Sequence, residues 1–280
     1  MTSMKKVITH INPDLDAVTS VWLIKRFLPD WEKAAVNFAP AGRVERPDVD
    51  PEILYVDTGL GKLDHHRTGE YLSAAQLCFD FLKKQRKGKQ LSPLEEKALG
   101  ELVAVVTEID NARDLSWEEV GQDRYQFYLH TLIEGLRGLA KSDPEVIDLG
   151  MVLLDAVLLN FKNKIRADEE LTKGIVFQSQ WGKAIGLLSG NQQTIWRGEA
   201  HGYVLVVKKD PEEGGVRIYS RYDSQVDLTE AYHQVRKMDP DSDWFLHASK
   251  KLLLNQASAK PDMKATKLSL EEIIKILKKR

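Results

Sequence analysis

The stretch from Ile53 to His66 constrains the fold more than any other part of the chain. Ile53-Leu54-Tyr55-Val56 is a short apolar run that ends on Asp57, turns through Thr58-Gly59, and leads by a second short apolar approach to Asp64, His65 and His66. An apolar run of this length, bounded by turn residues, reads as a buried strand that presents polar side chains at its carboxyl end. Two adjacent histidines say little alone, because their side chains diverge. The residues ahead of them make them informative.

Lys5 to His10 reads as a short parallel strand, followed by the loop Ile11-Asn12-Pro13-Asp14-Leu15-Asp16 and a helix that carries Ala17, Val18, Val21, Trp22, Leu23 and Ile24 and stops near Leu28-Pro29. Ala34 to Ala39 is a second strand, and a Pro/Asp-rich loop from Pro40 to Pro51 precedes Ile53. This is the βαβ rhythm of a parallel sheet covered by helices, whose ligand sites lie at the carboxyl ends of the strands. Helices are expected at 74–86, at 94–109 behind the cap Ser92-Pro93, at 123–139, and at 146–171, with a basic loop over 83–90. From Gly174 the period changes to short β-rich runs, Ile175 to Phe177, Ala184 to Leu188, Tyr203 to Val207 and Val216 to Tyr219, separated by glycine-bearing turns. A helix at 228–238, a strand at 244–246 and a helix at 269–279 complete the pattern. The expected architecture is α/β: a parallel-sheet domain over 1–172 and a smaller α+β domain over 173–280.

Composition narrows the function. Apolar residues at 42% and charged residues at 29% describe a globular protein, and a net charge of −2 supplies no overall field for nucleic acid or an anionic membrane. Any polyanion must be held locally. The single cysteine, Cys78, permits no disulfide within the chain and reads as a small core residue. No secretory signal is visible at Met1 to His10 and no apolar stretch reaches the ~20 residues of a membrane span, so a cytoplasmic protein with no membrane partner is expected.

The chemistry gathers where strands end: His10, Asp14, Asp16, Asp57, Asp64, His65, His66 and Asp110. His10 and Asp14 lie four apart around a strand-to-helix turn and Asp16 two beyond, so one loop can aim all three at one point. Oxygen-rich ligation with a few imidazoles suits Mn²⁺, or Mg²⁺ as a harder alternative, whereas structural zinc prefers thiolate. Five acids in one crevice repel one another and raise each other's pKa unless cations sit between them. Two divalent ions resolve that conflict and equip the site for phosphate hydrolysis. Asp57, at the end of the most buried strand, is the expected bridging carboxylate. Asp114 competes with Asp110, which is preferred because it directly follows an apolar run. A capped helix start would explain one aspartate of the first loop but not the ordered set.

The segments His10-Ile-Asn-Pro-Asp14-Leu-Asp16-Ala, Asp57, Asp64-His65-His66 and Asp110, in that order over the first 115 residues or so, resemble the four motifs of the DHH phosphoesterase superfamily. That superfamily includes single-strand exonucleases, oligoribonucleases, cyclic-dinucleotide phosphodiesterases and family II inorganic pyrophosphatases, and the opening motif is particularly similar to the pyrophosphatases. The resemblance implies one metal held by His10, Asp14 and Asp57, and a second held by Asp16, Asp57, His65 and Asp110. It also implies a substrate-facing His66 and an orienting Asp64, which places Asp57, Asp64 and His66 in the catalytic set.

The second half lacks the Gly-Gly-Gly-His loop of the nuclease branches. Instead Trp244-Phe-Leu-His247-Ala-Ser249-Lys250-Lys251 is similar to a Phe-Val-His-Ala-Ser/Thr segment of the Myg-type nuclease family, as is Asp110-Asn111, although the following glycines are missing. From Leu246 to Arg280 nine Lys/Arg stand against three Asp/Glu, a local +6. Expected substrate contacts are Arg221, His247, Ser249, Lys250 and Lys251, with His247 equally readable as a core histidine at a strand end. Lys275, Lys278 and Lys279 read as a solvated helix face. Trp181, Trp196 and Trp244 could stack bases but read first as core, and His130, His201 and His233 are left structural. The expected partner is a phosphate-containing small molecule or a short single-stranded nucleic acid, with a homodimer open. The leading expectation is phosphodiester hydrolysis; pyrophosphate hydrolysis and a non-catalytic nucleotide-binding module are the alternatives.

Overall fold

The computed structural model describes residues 4–42, 44–85, 91–139, 141–256 and 260–278. Part of the expected basic loop, Arg86 to Gln90, lies outside these residues, as do Lys279 and Arg280. The fold is mixed α/β and divides into two compact units, Met1–Lys162 and Asn163–Arg280. The division falls inside one long helix rather than at residue 172. No helix among the described residues is long and apolar enough to cross a membrane.

In the first unit, β1 (Lys6–His10) is the centre of a three-stranded parallel sheet, flanked by β2 (Ala35–Ala39) and β3 (Ile53–Tyr55). Val7 sits opposite Val36 and Leu54 and is fully buried, so the short apolar runs find each other in register. Helix α1 (Leu15–Phe27) follows β1 and is buried continuously from Leu15 to Ile24, as a central helix must be. It packs against α2 (Ala74–Lys84) and α3 (Pro93–Asp110). Ser92 caps α3 in a full capping box with Glu95, and Pro93 opens the helix, as the sequence predicts.

The helix expected over 123–139 is interrupted. Residues Asp123–Phe127 form a 3₁₀ turn, Tyr128 is extended, and α4 spans only Leu129–Gly138. The cause is Tyr125, which turns inward to donate its hydroxyl hydrogen to the buried Asp114 carboxylate while Phe127 is thrown outward. The 29-residue helix α5 (Asp143–Leu171) closes the unit over α1, with Asp155 accepting from Trp22 Nε1 at 2.8 Å and pairing with Arg26 at 2.9 Å.

The second unit is a six-stranded mixed sheet in the order β4-β5-β6-β7-β9-β8, built from β4 (Ile175–Ser179), β5 (Gly182–Leu188), β6 (Leu205–Lys209), β7 (Val216–Ser220), β8 (Trp244–Leu246) and β9 (Leu252–Asn255). Only β5 and β6 run parallel, and α6 (Gln193–Ala200) makes their crossover. Alternation along β6 and β7 divides the core. Leu205, Val207, Val216 and Ile218 face α7 (Thr229–Met238) and α8 (Leu270–Leu277), while Val206 packs with Ile195 of α6 on the other side.

Gly150 of α5 marks a close helix approach in the first unit, because a Cβ there would lie 2.5 Å from Val18 Cγ1. Gly150→Ala should cost about 1–2 kcal/mol net, since overpacking at α1 exceeds the helix-propensity gain. Chemical denaturation would show it as a lowered midpoint; an unchanged or raised midpoint would contradict the packing account.

Candidate metal centre

The site is assembled from four chain segments of the first unit. β1 ends on His10, whose Nδ1 donates to the Ile11 carbonyl at 2.8 Å. That contact fixes the ring so that Nε2 stands 3.2 Å from Asp57 Oδ2 and 3.8 Å from Asp14 Oδ1. Asp14 also caps α1, accepting from the Ala17 amide at 3.0 Å. It is therefore both the capped helix start and a member of the cluster.

Asp57 is 2% exposed and holds a left-handed φ of 53°. For a non-glycine residue that conformation costs of the order of 1 kcal/mol and persists only where surroundings over-determine it. Here the Asp57 amide donates to the Leu63 carbonyl at 3.1 Å. Asp64 ties the same turn, accepting from the Leu60 amide at 2.7 Å and the His66 amide at 3.0 Å. Its Oδ1 also holds His66 Nδ1 at 2.9 Å. Asp64 thus orients His66, whose side chain is exposed at the rim.

Asp16 is buried at the N-terminus of α2, where its two oxygens accept from the Ala74 and Ala75 amides at 2.7 and 2.8 Å. Asp110 closes α3, the helix expected over 94–109, and so stands at a helix end and not with the strand-end ligands among which the sequence grouped it. Its position is set by Asn111, whose amide nitrogen donates to the carbonyls of Leu72 and Thr107, both at 2.9 Å. His65 Nε2 lies between these acids, 3.4 Å from Asp110 Oδ2, 3.6 Å from Asp57 Oδ1 and 3.9 Å from Asp16 Oδ2.

Three groups result whose ligand atoms converge within 4.8 Å: His10 with Asp14 and Asp57, Asp16 with His65 and Asp110, and Asp57 with His65 and His66. Asp57 Oδ1, His65 Nε2 and Asp110 Oδ2 are buried without a hydrogen-bond partner. Such groups cost free energy unless a further partner meets them. A divalent cation fits this donor set, because carboxylate and imidazole are its ordinary ligands.

The electrostatics agree. Burial pushes the carboxyls of Asp16 and Asp57 up, and their like charges add to it in Asp16. Burial and the neighbouring Asp57 and Asp14 push Asp110 up to about 7. His10 loses from burial but gains more from Asp14 and Asp57, and rises to about 11. Burial holds His65 below its ordinary value, which leaves the ring neutral. For His66 burial opposes the charge but Asp64 and Asp57 outweigh it, and the pKa rises.

Asp114, the competing candidate, is committed elsewhere: it accepts from Tyr125 and lies 3.6 Å from His130 Nε2. A cavity of about 220 Å³ adjoins the cluster, lined by Asp14, Asp16 and Asp110 and also by His130, Glu134 and Arg137. The sequence singles out neither His130 nor Arg137 for the site: His130 reads as structural because no partner for it can be named, and Arg137 belongs to no motif. Cys78 is fully buried and its thiol is pushed up by burial, consistent with a core residue.

The expected substrate contacts of the second unit do cluster. The Ser220 and Leu228 amides donate to the Lys251 and Lys250 carbonyls, bringing the loop after β7 against the β8–β9 turn. Arg221, however, is held by Asp223 at 2.7 and 3.0 Å, Lys250 by Asp227 at 2.9 Å, and the Lys251 ammonium by the carbonyls of Ser224 and Val226. His247 is exposed and bonded to Ser249 Oγ at 2.8 Å, so it is not a core histidine. Trp244 is buried, Trp181 packs against the core and Trp196 is 55% exposed.

Comparison with known proteins gives no match to any family model and none to a curated protein. Among solved structures, the chain is similar to RecJ of Thermus thermophilus in complex with Mg²⁺ (18% identity, 91% of this chain and 47% of RecJ, TM-score 0.30). It is similar also to an exopolyphosphatase-related protein of Bacteroides fragilis (13% identity, 98% and 90% of the chains, TM-score 0.26). A third similarity is to the DHH domain of a member of a family of ribosomal proteins (12% identity, 98% and 85%, TM-score 0.32). The chain thus spans about half the length of RecJ. At these TM-scores the likenesses add no weight to the site described above.

The raised groups fix the sign of a pH effect. A raised carboxyl pKa means that the folded chain keeps a proton the unfolded chain has lost, so stability falls as pH rises from about 4 to about 7. His10 acts in the same direction higher up, its contribution being complete below about 6.5 and lost as pH rises through about 11. The metal-free protein should melt at steadily lower temperature from about pH 5 to about pH 9, and excess divalent ion should reverse most of the fall. A flat profile in EDTA would contradict this electrostatic account. Asn111→Ala should leave the fold intact and weaken divalent-ion affinity about 10–100-fold by releasing Asp110, as titration calorimetry would read.

Proposed function

We propose that this chain is a divalent-metal-dependent phosphoesterase of the DHH type, acting on phosphodiester bonds of short oligonucleotides or dinucleotides. The observation that carries the proposal is the trio of buried, unpartnered ligand atoms, Asp57 Oδ1, His65 Nε2 and Asp110 Oδ2, set within the ordered motifs. In this reading His10, Asp14 and Asp57 hold one ion, Asp16, Asp57, His65 and Asp110 hold a second, and Mn²⁺ or Mg²⁺ is the metal. Bound divalent ions supply Lewis acidity on a phosphoryl oxygen and lower the pKa of water at the site.

The chain's own residues do the rest. His66, oriented by Asp64 through Nδ1, donates from Nε2 to a phosphoryl oxygen as charge develops there. Burial opposes the ring's charge, but Asp64 and Asp57 outweigh it and raise the pKa, which favours the protonated ring this donation needs. Arg137 on the adjoining cavity supplies a fork suited to a non-bridging phosphate oxygen. Arg221, His247, Ser249, Lys250 and Lys251 remain the substrate contacts proposed on the second unit. An anion there must displace Asp223 from Arg221 or Asp227 from Lys250.

A second reading, hydrolysis of pyrophosphate, is favoured by one observation, the opening His10-Ile-Asn-Pro-Asp14-Leu-Asp16-Ala. One panel separates the two: a labelled five-nucleotide RNA, the matching DNA, a cyclic dinucleotide and pyrophosphate, each with Mn²⁺. Cleavage of one phosphodiester class is expected, with Asp57→Ala lowering it about 10³-fold or more while the circular dichroism spectrum is retained. Turnover of pyrophosphate alone would move the assignment to the second reading. Tight nucleotide binding without turnover would leave a binding module. Arg137→Gln should raise KM for the cleaved substrate about tenfold with a smaller change in kcat.

A further inference from the structure

The second unit buries a cation that no part of the fold described so far uses. Lys208 on β6 stands directly opposite Arg217 on β7 in antiparallel register. Their neighbours Val207, Val216 and Ile218 face α7 and α8, so Lys208 and Arg217 share the opposite side of the sheet, the side covered by α6. Lys208 is only 6% exposed. Like charges placed directly opposite on one sheet face are destabilising, and burying the ammonium adds a desolvation cost.

Nothing nearby settles the pair. Burial and then Arg217 hold the Lys208 pKa below its ordinary value, with Asp210, Glu170 and Glu213 opposing them. Yet none of these acids makes a hydrogen bond or ion pair with Lys208 among the described residues. Asp210 Oδ1 is taken by the amides of Glu212 and Glu213, and Glu170 Oε2 by Ser189 at 2.6 Å. Among the described residues Arg217 donates to a neutral partner, Gln192 Oε1, at 2.7 Å.

Both cations open on one cleft of about 500 Å³, which Gln192, just ahead of α6, and Lys260 also line. We propose that this cleft is a binding site for a phosphomonoester or inorganic phosphate, with Lys208 and Arg217 its principal ligands. Arginine contributes a planar fork that matches two phosphate oxygens, and lysine a point charge. An oxyanion between them turns the cross-strand repulsion into two attractions. Asp210 and Glu213, also on the cleft, repel charge extending past the first phosphate, which selects a single phosphate over a polyanion. The volume exceeds that of phosphate and leaves room for an organic group.

The test uses the full chain in EDTA, so that the acidic cluster of the first unit offers phosphate no cation. Titration calorimetry is run with inorganic phosphate, AMP, tripolyphosphate and citrate on the wild type, Lys208→Met and Arg217→Gln. Saturable binding of phosphate and AMP is expected, stronger than that of tripolyphosphate or citrate, and weakened about tenfold or more in each variant. Thermal melts supply the second measurement. Lys208→Met should melt at higher temperature than the unliganded wild type, because the like-charge pair is gone, and phosphate should raise the wild-type melt but not the variant's. The proposal is overturned if phosphate and AMP do not bind saturably, if both variants bind them as the wild type does, if citrate or tripolyphosphate binds more tightly, or if Lys208→Met melts lower.

Discussion

The burial of several carboxylates around His65 is the constraint on which the first unit turns. Asp16, Asp57 and Asp110 are placed there by three different elements, and each placement is itself unfavourable. Asp57 sits in a left-handed backbone, Asp16 is fully buried, and Asp110 puts a negative charge at the C-terminus of α3, where the helix dipole already concentrates one. Local hydrogen bonds offset part of this, most clearly the two α2 amides that meet Asp16. They leave Asp57 Oδ1 and Asp110 Oδ2 without partners. A fold tuned for stability alone would neutralise or expose these groups. The arrangement makes sense when positive charge arrives from outside the chain.

The scaffold explains how so much like charge can be held still. β1 and the segment through β3 run parallel, so His10 and Asp57 emerge at the same end of the sheet. The continuously buried α1 then locks Asp14 and Asp16 into the crevice from one side, while Asn111 ties the end of α3 to the chain before α2 on the other. Every ligand-bearing loop is thus anchored at both ends by regular structure.

This explains what was legible in the sequence. The parallel strands and the cluster residues His10 and Asp57 follow from short apolar runs ending in ligand residues, a pattern that strand geometry enforces locally. Asp14 and Asp16 follow from the capped start of α1, His65 from the segment after the Asp57 turn, and Asp110 from the end of the helix expected over 94–109. What was not legible depends on distant side chains. The break between the 3₁₀ turn and α4 arises from Tyr125 reaching Asp114, a contact that helical periodicity does not record. Helix α6 escaped because its sequence, Gln-Thr-Ile-Trp-Arg-Gly-Glu-Ala, is only eight residues long and poor in apolar residues, and its approach to β6 depends on Gly198, where a Cβ would meet Val206 Cγ2 at 2.7 Å. β9 escaped because Leu252-Leu-Leu-Asn255 lacks alternation.

The second unit shows why substrate is harder to read than metal. A metal site needs several rare residue types at fixed places, and each ligand leaves a mark on its segment. An anion site needs only a lysine or an arginine whose charge is uncommitted, and commitment is a tertiary property. Arg221 after a strand and Lys250 and Lys251 in a basic stretch look available, yet Asp223, Asp227 and two carbonyls occupy them. Lys208 looks like an ordinary strand residue beside Lys209, yet it is the buried one and has Arg217 opposite. Uncompensated charge therefore marks both units, negative around His65 and positive at the β6–β7 ladder. In each the fold bears an electrostatic cost that a ligand of opposite sign would remove.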